Sequence, residues 1–430
     1  MGYYVGPSGV AALKSYRYSG SDLSLTYKYV LSPLAQRCVD WLTPLWLAPN
    51  AITSLGLLWM VAAYGIMQFY APTFSESLSP LGSVAPGDVP AETGAVPRWV
   101  YLFNAVAMVL YQTLDNMDGK QARRTGSSSP LGMLFDHGCD AVNSPMGSIN
   151  WCVAMGIGPA VPLVLFWTLI ASAIPFYVAT WEEFYTGALV LPVINGPSEG
   201  LLLGASLSVV SFLHGPQFWH SYTFWDGFVG PAAGLAASAA PAVAGYLPAA
   251  GVRNYEVVIL AAAICALQEM LLKSAGIVHN YGLRPLLNLF PFLSLLFCCV
   301  FCHVMQPGLV VENPRFCMLL FGVNFVEMVS GLMLDHMIHH KFKWIRSTMI
   351  PFYVFSALLA YDHYVSPIVA YKDVETYLFM YLSGAAAHLA FKLAVVTEEI
   401  CEALDIWCFD IVTPRGGKGV AASTRSKKRL

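Results

Sequence analysis

The chain runs to 430 residues, 57% of them hydrophobic and only 11% charged, with a mean hydropathy of +0.58. A soluble domain carries roughly 25% charged residues, so this composition excludes an ordinary water-soluble fold and points to an all-α polytopic membrane protein. The net charge of −3 leaves no basic face for a nucleic-acid partner.

Residues 1–30 are rich in Tyr and Ser and are expected to be a loosely ordered N-terminal segment. With Lys14, Arg17 and Lys28 among them they do not read as a cleavable signal. Residues 31–48, LSPLAQRCVDWLTPLWLA, mix apolar residues with Arg37 and Asp40, and Trp41 and Trp46 suit the water–lipid boundary. The pattern predicts an amphipathic helix lying in the interface. Pro49, Asn50, Ala51, Ile52 and Thr53 then open the first span, with a helix-compatible proline and polar capping groups.

Hydropathy predicts about ten transmembrane helices, near 51–70, 99–118, 132–157, 160–180, 201–214, 254–274, 286–305, 315–334, 348–365 and 374–396. Lys120, Arg123 and Arg124 follow the second span, Lys273 and Arg284 flank the loop after the sixth, and Lys341, Lys343 and Arg346 follow the eighth. With ten spans all of these fall on the side of both termini, and the positive-inside bias makes that side cytosolic. The opposite loops, 71–98 and 215–252, are rich in Pro, Gly and Ala.

At the cytosolic ends of the second and third spans stands LDNMDGKQARRTGSSSPLGMLFDHGCDA, residues 114–141. Asp115 with Asp118, and Asp136 with Asp140, sit at i, i+3 and i, i+4, so each pair aims two carboxylates from one helix face. Joined antiparallel through residues 123–130, the two helices can bring all four acids together. Four carboxylates without a His–Cys set suit hard cations such as Mg²⁺ or Mn²⁺. Two such ions about 4 Å apart clamp the entering and leaving oxygens of a phosphoryl displacement. Gly119 and Ala122 keep the acidic face open to a phosphate, and Arg123 is a natural diphosphate partner.

Residues 181–200, WEEFYTGALVLPVINGPSEG, fall on the same side and carry Trp181, Glu182, Glu183, Tyr185 and Glu199. Acids among aromatics either hold a quaternary ammonium by charge and cation–π attraction or form an interfacial belt. Asp335, His336, His339 and His340 read as a surface cluster rather than a metal site. Cys299 and Cys302 read as small hydrophobes of a membrane helix. Lys392, Glu398 and Glu399 read as a snorkelling, solvated helix end. The tail 412–430 is expected to be disordered and basic, and its Lys427 and Lys428 stand where a dilysine retrieval signal for the endoplasmic reticulum would stand.

Eight positions of the acidic stretch, Asp115, Asp118, Gly119, Ala122, Arg123, Gly132, Asp136 and Asp140, match the D-x-x-D-G-x-x-A-R, eight residues, G-x-x-x-D-x-x-x-D signature of the CDP-alcohol phosphotransferases. The surrounding GKQARRT, SSSPLG and LFDHGCD resemble the eukaryotic choline/ethanolamine phosphotransferase branch. So do P-N-x-I-T-x-x-G at 49–56, the 181–200 run with Phe184 in place of a tyrosine, and the I-C…C-F ending at 400–409. The resemblance spans about 25–411 and implies one transmembrane domain over 49–411. It implies transfer of phosphocholine or phosphoethanolamine from CDP-choline or CDP-ethanolamine to diacylglycerol.

By that resemblance Asp115, Asp118, Asp136 and Asp140 hold two metal ions, and Asn50, Gly119, Ala122 and Arg123 line the nucleotide site; Asn50 as a simple helix cap is the alternative. The family gives its fourth aspartate, Asp140, the role of general base; His137 is the rival, because its ordinary pKa lies nearer neutrality. A homodimer in the endoplasmic reticulum or Golgi membrane is also implied. Two other readings are a CDP-diacylglycerol-dependent synthase of the same fold and a divalent-cation transporter, whose paired interrupted helices find no echo here.

Overall fold

Proline and glycine set the helix boundaries, as their backbone limits require. Helices α3 (Pro49–Tyr70), α5 (Pro130–Met155) and α6 (Pro162–Thr186) each begin on a proline, whose missing N–H costs nothing in a first turn. Helices α4 (Arg98–Thr125) and α6 stop at Gly126 and Gly187, left-handed at φ 69° and 72°, a conformation that only glycine adopts without strain. The chain in this computed structural model is described over residues 2–78, 96–239, 251–366 and 371–415.

Before and after these lie α1 (Pro7–Ser15), α2 (Ser32–Leu42), α7 (Leu201–His214), α8 (Gly230–Ala239), α9 (Asn254–Tyr281), α10 (Phe290–Met305), α11 (Pro307–Glu312), α12 (Pro314–Met337), α13 (Ile350–Tyr364) and α14 (Tyr371–Leu404). The fold is that of an all-α polytopic membrane protein. Each of the ten expected spans has a helix at its position. Among the described residues seven are long and apolar enough to cross a membrane. The other three are α13, which has 15 residues, and α4 and α5, whose polar residues build the site described below.

Helix α3 runs along α4 and α5, α4 packs on α7, and α5 packs on α6 and α12. Helix α12 is the enclosed centre, with 83% of its most apolar window buried, against 11% for the peripheral α9. Burying an acid at that centre needs partners. Glu327 of α12 is fully buried; Lys392 Nζ, Ser347 Oγ, Thr348 N and Thr348 Oγ1 donate to it at 2.7, 2.5, 2.8 and 2.6 Å. Removing the carboxylate strands the Lys392 ammonium in apolar surroundings. Glu327→Ala is therefore expected to cost about 3 kcal/mol, read as a lower midpoint of thermal inactivation in detergent.

Several elements differ from expectation. The N-terminal segment, expected to be loosely ordered, carries α1 and the strand β1 (Gly20–Asp22), which pairs in parallel with β2 (Leu189–Leu191). Its first amides are capped by Glu399, which accepts from Tyr3, Tyr4 and Val5 N at 2.5, 2.9 and 2.8 Å. Neither Glu399 nor Lys392 is thus a merely solvated helix-end group. The amphipathic α2 covers Ser32–Leu42 rather than 31–48, ending before Pro44, and Trp46 lies beyond it. Trp41 and Trp46 are both exposed.

Asp335 is not on the surface: it is buried and paired with Arg346 at 2.9 Å and Lys343 at 3.5 Å, while His336 is half-buried and His339 exposed. Beyond α14, Arg415 donates to the Ile406 carbonyl and pairs with Glu398. Residues 416–430, with Lys427 and Lys428, lie outside the described residues, as do 79–95 and 240–250 of the two Pro/Gly/Ala-rich loops.

Candidate active site

Two helix faces meet where spacing alone said they could. Helix α4 carries Asp115 and Asp118 in its last three turns, and Ser129, accepting from Gly132 N at 3.1 Å, caps the start of α5 so that Asp136 and Asp140 return towards them. One oxygen each of Asp115, Asp118 and Asp136 lies within 4.8 Å of the others. Asp140 stands just outside that trio, where Tyr111 Oη donates to its Oδ1 at 2.5 Å. Asp118 is buried and accepts from Thr53 Oγ1 at 2.5 Å. Asp115 Oδ1 and Asp136 Oδ1 are buried with no hydrogen-bond partner. Carboxylates this close repel one another and leave acceptors unsatisfied. A divalent cation answers both problems, and an all-oxygen donor set fits Mg²⁺ or Mn²⁺.

The basic residues beside the acids divide by partner. Lys120 Nζ donates to Ser32 Oγ at 2.8 Å, and Arg124 to the Val39 and Thr43 carbonyls at 2.6 and 2.8 Å, so both tie α4 to α2. Arg123 makes no hydrogen bond or ion pair among the described residues. Its guanidinium lies over Gly119, where an added Cβ would meet Nη1 at 3.5 Å. An exposed guanidinium without a protein partner keeps its fork of donors free for an anionic ligand. Ala122 is partly exposed on the same helix.

Asn50 does not cap α3, whose N-cap is Ala48. Its Nδ2 donates to the Cys408 carbonyl at 3.0 Å and its Oδ1 stands near Gly132. The start of α3, the start of α5 and the chain beyond α14 are thereby joined at one end of the bundle, which is also where Glu399 holds the N-terminal amides.

The run at 181–200 sorts into structural groups and one exception. Trp181 is buried with Nε1 donating to the Pro285 carbonyl at 3.2 Å, Glu182 pairs with Lys273, and Tyr185 Oη accepts from Asn288 Nδ2 at 2.5 Å. Glu199 accepts from Asn195 N at 3.0 Å and from Ser24 Oγ. Gln112 of α4 donates to the Pro197 and Ser198 carbonyls at 2.9 and 2.8 Å, tying this turn to the acidic helix. Glu183 is 3% exposed and has no hydrogen bond or ion pair to its carboxylate among the described residues. His137, on α5 beside Asp136, has ring nitrogens with no hydrogen bond among the described residues, and the Tyr18 ring stands edge-on to it at 6.3 Å between centroids.

Sequence reasoning missed Thr53 and Tyr111. Thr53 stood within the P-N-x-I-T opening, and Tyr111 lies one helical turn before Asp115, a spacing that shares a face. It missed Tyr18 altogether, since no local pattern links residue 18 to residue 137.

The sequence matches the family model described as CDP-alcohol phosphatidyltransferase over residues 46–210. That stretch contains all four aspartates, Arg123 and the 181–200 run. A relative from Arabidopsis thaliana named choline/ethanolaminephosphotransferase 1 is 33% identical over 95% of this chain and 98% of its own. The chain belongs to the CDP-alcohol phosphatidyltransferase family. A Saccharomyces cerevisiae choline/ethanolaminephosphotransferase 1 is 36% identical over 52% of each chain. An uncharacterised Dictyostelium discoideum member of the same family is 30% identical over 99% of this chain.

Proposed function

We propose that this chain transfers phosphocholine or phosphoethanolamine from CDP-choline or CDP-ethanolamine to diacylglycerol, giving the phospholipid and CMP. The observation that carries the reading is the set of converging aspartates with two buried, unpartnered oxygens beside the unpaired Arg123. The names of the full-length relatives supply the substrate class.

Asp115, Asp118 and Asp136 would hold divalent cations, with Asp140 completing the set; two ions of Mg²⁺ or Mn²⁺ suit the donors. When bound they neutralise the diphosphate and stabilise the departing CMP. Arg123 takes the diphosphate, with Gly119 and Ala122 keeping its approach open and Asn50 holding the neighbouring backbone. The diacylglycerol hydroxyl attacks the β-phosphorus in line, the bond from that phosphorus to the bridging oxygen breaks, and CMP leaves with the electron pair.

The hydroxyl proton goes to His137. Asp140 already accepts from Tyr111 at 2.5 Å, whereas the ring nitrogens of His137 are free to accept. We assign Asp140 to holding cation and His137 to the proton.

The hydrogen bond from Asn50 to Cys408, which joins the start of the first span to the chain beyond the last, supports one transmembrane domain over 49–411. The common end shared by the site, the N-terminal segment and the chain beyond α14 supports termini on one side, cytosolic by the positive-inside bias, and the family resemblance adds an endoplasmic reticulum or Golgi membrane. The exposed Leu260, Ile264 and Leu271 of α9 support a homodimer or a lipid-facing flank.

The test is purified protein given CDP-choline labelled in its headgroup and diacylglycerol, with and without chelator. Label is expected in the lipid phase, lost with chelator and restored by Mg²⁺ or Mn²⁺. Label that stays in water in every condition overturns the reading, and metal flux without CMP release would favour a transporter.

A further inference from the structure

The four aspartates are not held alike. Asp115 and Asp136 each keep a buried oxygen without a hydrogen-bond partner among the described residues, whereas Asp118 and Asp140 each accept from one hydroxyl. Both hydroxyls are set by one face of α3. Thr53 and Gly56, three apart on that helix, are buried and share a face. Thr53 Oγ1 lies 2.5 Å from Asp118 Oδ2 and 3.3 Å from the Pro49 carbonyl one turn back, so its single proton goes to the carboxylate. At Gly56 the missing side chain admits the Tyr111 ring: an added Cβ would stand 3.4 Å from Tyr111 Cδ2. Tyr111 is 1% exposed, and its hydroxyl reaches across from α4 to Asp140 Oδ1 of α5 at 2.5 Å. Helix α3 thus backs Asp118 directly and Asp140 through Tyr111, although it contributes no acid of its own. A carboxylate offers about four lone-pair sites, so one accepted hydroxyl leaves room for a cation. A site without these donors has to restrain two more side chains when it binds an ion, against both their repulsion and their rotamer freedom.

Resting on the cation site of the proposed function, we propose that Thr53 and Tyr111 are its positioning residues: their hydroxyls hold Asp118 and Asp140 in the geometry a divalent cation requires. The role belongs to the two hydroxyls and not to the bulk of the side chains, because valine and phenylalanine fill nearly the same space. Hydrogen bonds that orient ligating carboxylates are commonly worth roughly 10- to 100-fold in metal affinity.

The experiment measures the dissociation constant of Mn²⁺ by its paramagnetic signal, without donor or acceptor, in wild type, Thr53→Val, Thr53→Ser, Tyr111→Phe, Asp140→Asn and the double variant Asp140→Asn with Tyr111→Phe. The Mn²⁺ concentration for half-maximal CMP release is measured alongside. Thr53→Val and Tyr111→Phe are each expected to weaken Mn²⁺ binding about 10-fold, with the half-activating concentration rising in step and turnover recovering at high Mn²⁺. Thr53→Ser, which restores the hydroxyl, should stay near wild type. Tyr111→Phe should add nothing to Asp140→Asn, because the hydroxyl acts through that carboxylate. Binding within twofold of wild type in both Thr53→Val and Tyr111→Phe overturns the proposal. So does a Tyr111→Phe loss that persists in full beside Asp140→Asn, or a Thr53→Ser protein no better than Thr53→Val. If Tyr111→Phe does not fold, the two Thr53 variants decide on the same criteria. A wild type that binds Mn²⁺ but transfers no headgroup would refute the transferase reading and leave the positioning roles to the binding constants; one that binds no Mn²⁺ overturns both.

Discussion

Asp136→Asn is expected to slow CMP release by at least about 10³-fold at saturating donor and acceptor. Its Oδ1 is buried with no hydrogen-bond partner among the described residues, and one of its oxygens belongs to the trio drawn within 4.8 Å. An amide is a neutral donor where the site calls for a negative acceptor, so the substitution removes charge at the point where two helices contribute it jointly. Binding of Mn²⁺, followed by its paramagnetic signal, should weaken in parallel with activity. Bulk folding should not suffer, since replacing one of several mutually repelling carboxylates relieves repulsion. A variant with unchanged turnover, or one that loses turnover while binding Mn²⁺ normally, would remove Asp136 from the cation site.

The second large effect separates proton transfer from cation binding. His137→Gln is expected to lower kcat by about 10² to 10³-fold, with the concentration of Mg²⁺ or Mn²⁺ needed for half-activation left where it was. Asp140→Asn should instead raise that concentration. The two residues lie three apart on one helix, and their contacts set them apart: Tyr111 occupies one oxygen of Asp140, while the His137 nitrogens make no hydrogen bond among the described residues. Steady-state CMP release at varied metal concentration reads both. A His137→Gln enzyme that regains full turnover at high metal would return the proton to Asp140.

The acidic site was readable because its information is local. Spacings of three and four residues place two carboxylates on one helix face whatever the rest of the chain does, and Gly126 and Pro130 between the pairs demand a turn. The spans were readable for the same reason, since hydropathy is summed over a window. The roles within 181–200 were not. Glu182 and Glu183 are adjacent letters of one type, yet one meets Lys273 of α9 and the other meets no cation among the described residues. Adjacent helix positions point about 100° apart, and only the neighbouring helices determine what each direction contains.

The N-terminal segment marks the same limit. Its Tyr- and Ser-rich composition lacks the apolar window of a span. Its order comes from Glu399 and from β2, partners nearly four hundred and about one hundred and seventy residues away.

The sequence by itself thus determined a polytopic helical membrane protein with four carboxylates poised at the ends of two helices, because periodicity and window hydropathy are properties of neighbouring residues. The tertiary structure alone decided which acids stay unpaired among the described residues, which basic group beside them keeps its donors free, and that the Tyr18 ring stands edge-on to His137. The physical reason is that whether a charge lies free or satisfied depends on groups brought in from distant helices, and no local pattern encodes their arrival.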